Sequence, residues 1–211
     1  MLRRSFFGFL PALLSFFGLK TLGIKMLAYH FVGDTLRDGK PIPQDGEWLV
    51  HEGEVEICKS GLHASIEPFD ALLYAPGATL CLVEVEDIVK QQKDKLVCRK
   101  RKIVKRIDIQ EHLRRFAADF ALSVSHLWEM PDIVREYLTT LDESKREEAR
   151  KTAYDTSHTV YYADAAYYAS SAEAADAAAF ATGAYFATTA TCRVAAANNK
   201  FNEMVYNLFK E

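Results

Sequence analysis

The chain is predicted to fold as an α+β protein: a small, mostly antiparallel sheet domain, then a helical region with an Ala/aromatic-rich long helix or helical hairpin. Three observations carry this. From Met26 to Ile109, short apolar runs are separated by Gly, Pro and Asp-Gly signals, the pattern of strands joined by tight turns. From Gln110 the apolar period changes to that of a helix face. Ala153–Ala197 is dense in Ala interleaved with Tyr and Phe, and Ala is the strongest helix former.

Leu27–Val32 (LAYHFV) reads as the first strand. Gly33–Gly46 is turn-rich, with Pro41, Pro43 and a closing Asp45-Gly46 pair. Trp48–His51 and Glu54–Lys59 read as short strands around a Glu52-Gly53 turn, and Leu62–Ser65 as another. A helix follows, with Ser65 as N-cap, Glu67 in the first turn and Pro68 near the start, where the first N–H groups lack helical partners anyway. Pro76-Gly77 ends it. Leu80–Val85 is a buried strand by its β-branched content, Lys90–Asp94 a polar loop, and Leu96–Ile107 a long basic strand or hairpin. Leu113, Phe116, Ala117, Phe120, Leu122 and Val124 then fall at helical spacing. Pro131 opens a helix over Asp132–Thr140, and Asp142–Arg150 is a charged helical run. In the Ala-rich tail, small residues recur about every four positions, which lets helices approach closely while rings cover the flanks. Gly183 is a candidate break. Ala166→Leu and Ala175→Leu are therefore expected to be harmful.

The resulting division is 1–25, a signal, targeting or upstream segment; 26–109, the α+β domain; and 110–211, the helical region. The first segment has a basic start and an apolar run, Phe6–Leu19. That run is shorter than the roughly 20 residues a spanning helix needs. Arg3-Arg4-Ser5-Phe6-Phe7 resembles the twin-arginine export motif, without an upstream Ser/Thr or an A-x-A cleavage site. With that signal the protein is exported or membrane-associated; with a start at Met26 it is cytoplasmic. Membrane contact is expected only through residues 1–25, because Asp164, Glu173, Asp176 and Arg193 interrupt the later apolar stretches.

Composition narrows the function classes. The 211 residues carry 26 basic and 29 acidic side chains, a net charge of -3. No global basic field draws nucleic acid. Cys58, Cys81, Cys98 and Cys192 lie far apart, which argues for buried free thiols and against a disulfide framework or zinc site. P-loop, HExxH, nucleophile-elbow and Rossmann patterns do not occur in the sequence. Glu84 and Glu86 share a strand face, the usual pattern of solvent-facing acids.

Two histidines are the leading ligand-binding candidates. His30 and His63 both lie on short predicted strands, and two imidazoles facing one cleft could exchange protons with a ligand near neutral pH. The plain alternative is a pair of hydrogen-bonded sheet histidines. Lys93–Arg106 is the strongest charge cluster, with Arg99, Lys100, Arg101 and Lys102 at its centre. One strand face of it could contact phosphates. Without an interleaved aromatic it reads better as a lysine-protected edge.

The segments MLAYHFVGDTLRDGKPIP, HEGEVEICKSGLHASIEPFDALLYAP and KLVCRKRKI resemble an uncharacterised domain family of bacteriophage and bacterial genomes. The resemblance spans residues 26–140 and implies no activity. A fainter resemblance is to ADP-ribosyltransferases of the diphtheria-toxin and poly(ADP-ribose) polymerase kind. It implies NAD as ligand, with His30 in AYHFV on the nicotinamide ribose, His63 in GLHAS, and Tyr74 as the stacking aromatic. Phe31-Val32 replaces the expected Gly-Thr, His63 the expected Tyr, and Asp94-Lys95 the expected glutamate. Without that carboxylate the transition state loses its main stabiliser, so Asp94 is the remaining catalytic candidate and no nicotinamide release is expected. The leading expectation is a non-enzymatic phage- or prophage-type accessory protein, with self-association or a protein partner at the helical tail. No cofactor follows from the residues themselves.

Overall fold

A computed structural model of the chain describes residues 25–158, 162–171, 173–178, 180 and 192–210, with side chains 192–195 excepted. The readings placed on residues 1–24, and Gly183 as a helix break, lie outside the described residues. The architecture is α+β. Strands β1 (Met26–Val32), β2 (Trp48–Val50), β3 (Leu62–Ala64), β4 (Thr79–Gln91) and β5 (Leu96–Asp108) form one antiparallel sheet. Its order is β1-β4-β5-β2, with β3 paired to β5 beside β2.

The long β4–β5 hairpin curls this sheet. Its register shifts between Leu82 and Val83 and again between Ile88 and Lys90. Each shift inserts an extra residue on one strand, which bends and twists the ladder. The curl carries β3 round to β1. Tyr29 N–H donates to Ser65 O at 2.7 Å, and Ser65 N–H donates back to Tyr29 O at 2.9 Å. Strands β1, β4, β5 and β3 thereby close on themselves around a small interior. Ala28, Val32, Cys81, Val83, Val85, Leu96, Cys98, Ile103 and Ala64 line it.

The opposite face of β1 and β4 supports the helices. Phe31 and Leu80 pack with α2 (Gln110–Ser123), whose Leu113, Phe116, Ala117 and Phe120 turn inward as their spacing predicts. The same core continues through α3 (Asp132–Thr140), α4 (Arg146–Ser157) and α5 (Ala163–Ala169). Residue 109 thus marks a change of element type, with one core running across it. A C-terminal helix, α6 (Cys192–Lys210), closes this layer with Phe201 and Val205, both fully buried.

Helix α1 (Pro68–Leu72) starts at Pro68, as predicted, but its cap differs. Ser65 is taken by the Tyr29 bridge, and Glu67 is the N-cap residue without a capping side-chain bond of its own. Asn202 of α6 supplies the missing acceptor: Phe69 N–H donates to its Oδ1 at 2.8 Å. Asn202 Nδ2 then donates to Glu67 at 3.0 Å, and the Tyr206 hydroxyl donates to the same carboxylate oxygen. One of the orphan N–H groups of this helix start is thus served from α6.

Three further local expectations are corrected. Glu54–Lys59 is not a strand. Cys58 adopts a left-handed φ of 69°, and the chain folds back so that Ser60 N–H reaches Glu56 O at 2.8 Å. Strand β4 runs on to Gln91 rather than ending near Val85, because its polar half continues the ladder against Leu96–Lys100 of β5. Of the two forms expected for the Ala-rich stretch, a long helix or an antiparallel pair, the single long helix is not found where the stretch is described. The stretch consists of the end of α4, then α5, then helical residues 174–178. Ser170 breaks it, its hydroxyl bonding back to Ala166 O at 2.9 Å and Tyr167 O at 2.8 Å.

Ala163, Ala165, Ala166 and Ala169 face inward, as do Ala174, Ala175, Ala177 and Ala178. Ala166 is 1% exposed and Ala175 5%. Adding methylenes at such contacts forces off-rotamer side chains, so Ala166→Leu and Ala175→Leu should each destabilise the fold by about 1–3 kcal/mol. Circular dichroism melts of the two variants check this. Unchanged melting temperatures would place both residues at loose contacts.

Candidate functional site

The side chains of β1 alternate between two faces. Tyr29 and Phe31 face the helices, while Ala28 and Val32 line the sheet interior. His30 lies between the latter pair and so faces inward, opposite Cys81 of β4 in the register. Arg101 of β5 reaches the same interior and is only 7% exposed. Its Nη1 donates to the backbone carbonyl of His63. The Cys98 thiol donates to Leu62 O at 3.3 Å and Lys100 O at 3.2 Å.

Electrostatics follow from this enclosure. Burial pushes the Cys81 and Cys98 thiols up to about 11, so both stay protonated. Burial pulls Arg101 down to about 10, which leaves it a cation at neutral pH. His30 is driven well below the usual imidazole range, first by burial and then by the Arg101 charge and His63. The interior therefore holds a neutral imidazole beside a buried positive charge.

His63 does not join it. Its neighbours Leu62 and Ala64 pack on the interior cluster, so the His63 side chain points to the outer face of the curled sheet. There its Nε2 accepts the Cys58 N–H at 2.9 Å. That bond selects the neutral tautomer with the proton on Nδ1. Burial lowers its pKa. The two histidines thus belong to one sheet, joined at the Tyr29–Ser65 bridge, yet they lie on opposite faces of it. The shared cleft expected from the sequence does not form, because the curl brings β3 against β1 with the parity of their side chains opposed.

Tyr74 and Asp94 gather on the side of His63. The Tyr74 hydroxyl donates to the Asp94 carboxylate, and Lys95 Nζ donates to the Tyr74 oxygen at 3.1 Å. The Lys95 ammonium also stands 4.7 Å from the Tyr74 ring centroid. Hydrogen bonds to Tyr74 and to the Cys58 thiol raise the Lys95 pKa, while the Tyr74 bond lowers that of Asp94. Cys58 is exposed, contrary to the expectation of a buried thiol. Cys58 and Lys95 are members of this outer group that sequence reasoning missed. Neither carries a local signal, since the contact depends on the β4–β5 tip folding over the turn at residues 56–60.

The basic run divides rather than forming a phosphate-binding stripe. Arg99 Nη1 donates to Gly53 O at 2.8 Å. Lys100 lies 3.5 Å from Asp87 and 3.9 Å from Glu86. Arg101 is interior. Lys102 pairs with Glu84 at 2.9 Å and stands 4.7 Å from the Trp48 ring. Each of these cations has an internal partner, and Glu84 and Glu86 are those partners rather than idle surface acids.

Elsewhere, α2 and α6 leave a cavity of about 130 Å³ lined by His112, Arg115, Phe116, Asp119, Lys200 and Met204. Among the described residues, no three of His, Cys, Asp and Glu stand close enough to hold a metal ion. No helix among them is long and apolar enough to cross a membrane.

Residues 26–115 match the family model described as Domain of unknown function (DUF7666). The match covers the whole curled sheet and ends inside α2, so it includes both His30 and the outer group around His63. The chain matches no curated protein and no solved structure.

Proposed function

We propose that this chain is a non-enzymatic interaction protein that self-associates through an aromatic ridge on its Ala-rich helices. The carrying observation is a continuous run of rings. Tyr154 meets Tyr167 at 5.3 Å between centroids, Tyr167 meets Tyr168 at 5.1 Å, and Tyr168 meets Phe180 at 5.5 Å. The Ala faces beneath are buried, while Tyr154 is 47% and Phe180 54% exposed at the two ends. Arg150 lies 5.1 Å over the Tyr167 ring. Exposed aromatic rings set side by side support reading this face as an association surface. A two-fold pairing would set two identical ridges against each other and cover the exposed rings of both. The phage- or prophage-type accessory role rests on the sequence resemblance alone.

The NAD-handling alternative gains no support from the geometry. It needs His30 and His63 around one ligand, and they face opposite sides of the sheet. Asp94, its remaining acid, is engaged with Tyr74 on the His63 side.

Sedimentation velocity of the full chain over a concentration series tests the reading. The expected result is concentration-dependent dimerisation, weakened roughly tenfold or more in the Tyr154→Ser/Phe180→Ser variant. A monomer at every concentration, or a dimer indifferent to the double substitution, overturns it.

A further inference from the structure

Arg101 is a buried cation with no acid among the described residues to balance it. Its Nη1 meets only a backbone carbonyl, and no carboxylate figures among the groups that act on it. The interior thiols near it, Cys81 and Cys98, are neutral. A carbonyl dipole offsets only part of the cost of removing a full charge from water. Proteins ordinarily meet that cost with a paired anion.

His30 adds a second, independent sign. Its ring shares the interior lining with Cys81 and remains partly exposed. No hydrogen bond acts on it; its neighbours affect it only through burial and charge. A partly exposed histidine with no hydrogen-bond partner among the described residues thus faces the same interior as a guanidinium whose Nε and Nη2 bond no described residue.

We propose that the interior of the curled sheet binds a small oxyanion, a carboxylate or a phosphate, paired with the Arg101 guanidinium and hydrogen-bonded by the His30 ring. Guanidinium presents parallel donors that match two oxygens of such a group. The anion neutralises Arg101 and in turn favours the protonated form of His30, which then donates a charge-assisted bond. The residues involved lie on β1 and β5, far along the chain from the aromatic ridge, so this inference stands or falls separately from self-association.

The test is a titration of the full chain with sodium phosphate and, separately, sodium acetate, at ionic strength held constant with sodium chloride. Melting temperature and the ring resonances of His30 are followed together. The expected result is a saturable rise in melting temperature with at least one of the two anions, accompanied by movement of the His30 signals. The stronger of the two identifies the class. His30→Gln should weaken the apparent affinity roughly tenfold, and Arg101→Met should abolish the response. If Arg101→Met does not fold, His30→Gln and the His30 resonances decide the matter. No saturable change with either salt, a response matched by chloride, or equal responses in the native chain and His30→Gln each overturn the proposal.

Discussion

Replacing Phe201 with Ala is expected to destabilise the protein by about 3–5 kcal/mol, the range for truncating a fully buried aromatic. Phe201 has no exposed surface. Its ring meets Phe69 edge-on at 5.8 Å and Phe116 at 5.0 Å, and such aromatic pairs add to the value of plain burial. The void left behind would be bounded by α1, α2 and α6 together. Collapse of α1 or α6 into it would strain the Asn202 bond to Phe69 N–H, so the site relaxes poorly and the cost belongs near the top of the range. In a chain of this size each kcal/mol moves the melting temperature by roughly 2–4 °C. Urea or thermal denaturation of Phe201→Ala therefore gives a large signal. A fall of less than about 2 °C would mean that α6 docks loosely and that the helix layer closes without it. Phe180→Ala, at a half-exposed ring, is the natural control and should stay near neutral in the monomer.

What could be read before the fold was known follows from how local each feature is. Strands β1 and β5 and the inward face of α2 are written in spacings of two, three or four residues. The cap of α1 is not, because its acceptor sits 133 positions away on α6. The curl of the sheet is not, because it depends on where two register shifts fall along β4 and β5. That one feature decides the candidate site. Residue type singled out His30, His63, Tyr74 and Asp94, and three of them do gather. Which face each histidine takes depends on the closure of β3 against β1, and a one-position difference in parity moves a side chain through the sheet. Arg101 illustrates the same limit. In sequence it is one of a run of cations, yet Arg99, Lys100 and Lys102 reach acceptors or acids on the outside while Arg101 turns inward.

Gly61→Ala is expected to cost about 2–5 kcal/mol, combining left-handed backbone strain of roughly 1–2 with overpacking of roughly 1–3. Gly61 holds φ at +100°, and an added Cβ would stand 2.7 Å from Val97 Cγ2 and 2.9 Å from Val55 Cγ1. Both obstacles are β-branched side chains with little rotamer freedom, and Val97 is fully buried on a central strand. Relief must come from Gly61 itself, which leads directly into β3. Displacing β3 loosens the His63 bond to the Cys58 turn, the Arg101 bond to His63 O and the Ser65 bridge to Tyr29. The closure of the sheet is therefore what the substitution attacks. Gly39 and Gly46 separate the two contributions: each has positive φ, at +80° and +87°, but neither would meet an atom within 4 Å. Gly39→Ala and Gly46→Ala should then carry the strain alone, about 1–2 kcal/mol. Urea denaturation of the three variants makes the comparison. If Gly61→Ala costs no more than the other two, the close approach at Val97 is relieved cheaply, and the closure of β3 on β1 is softer than its hydrogen bonds imply.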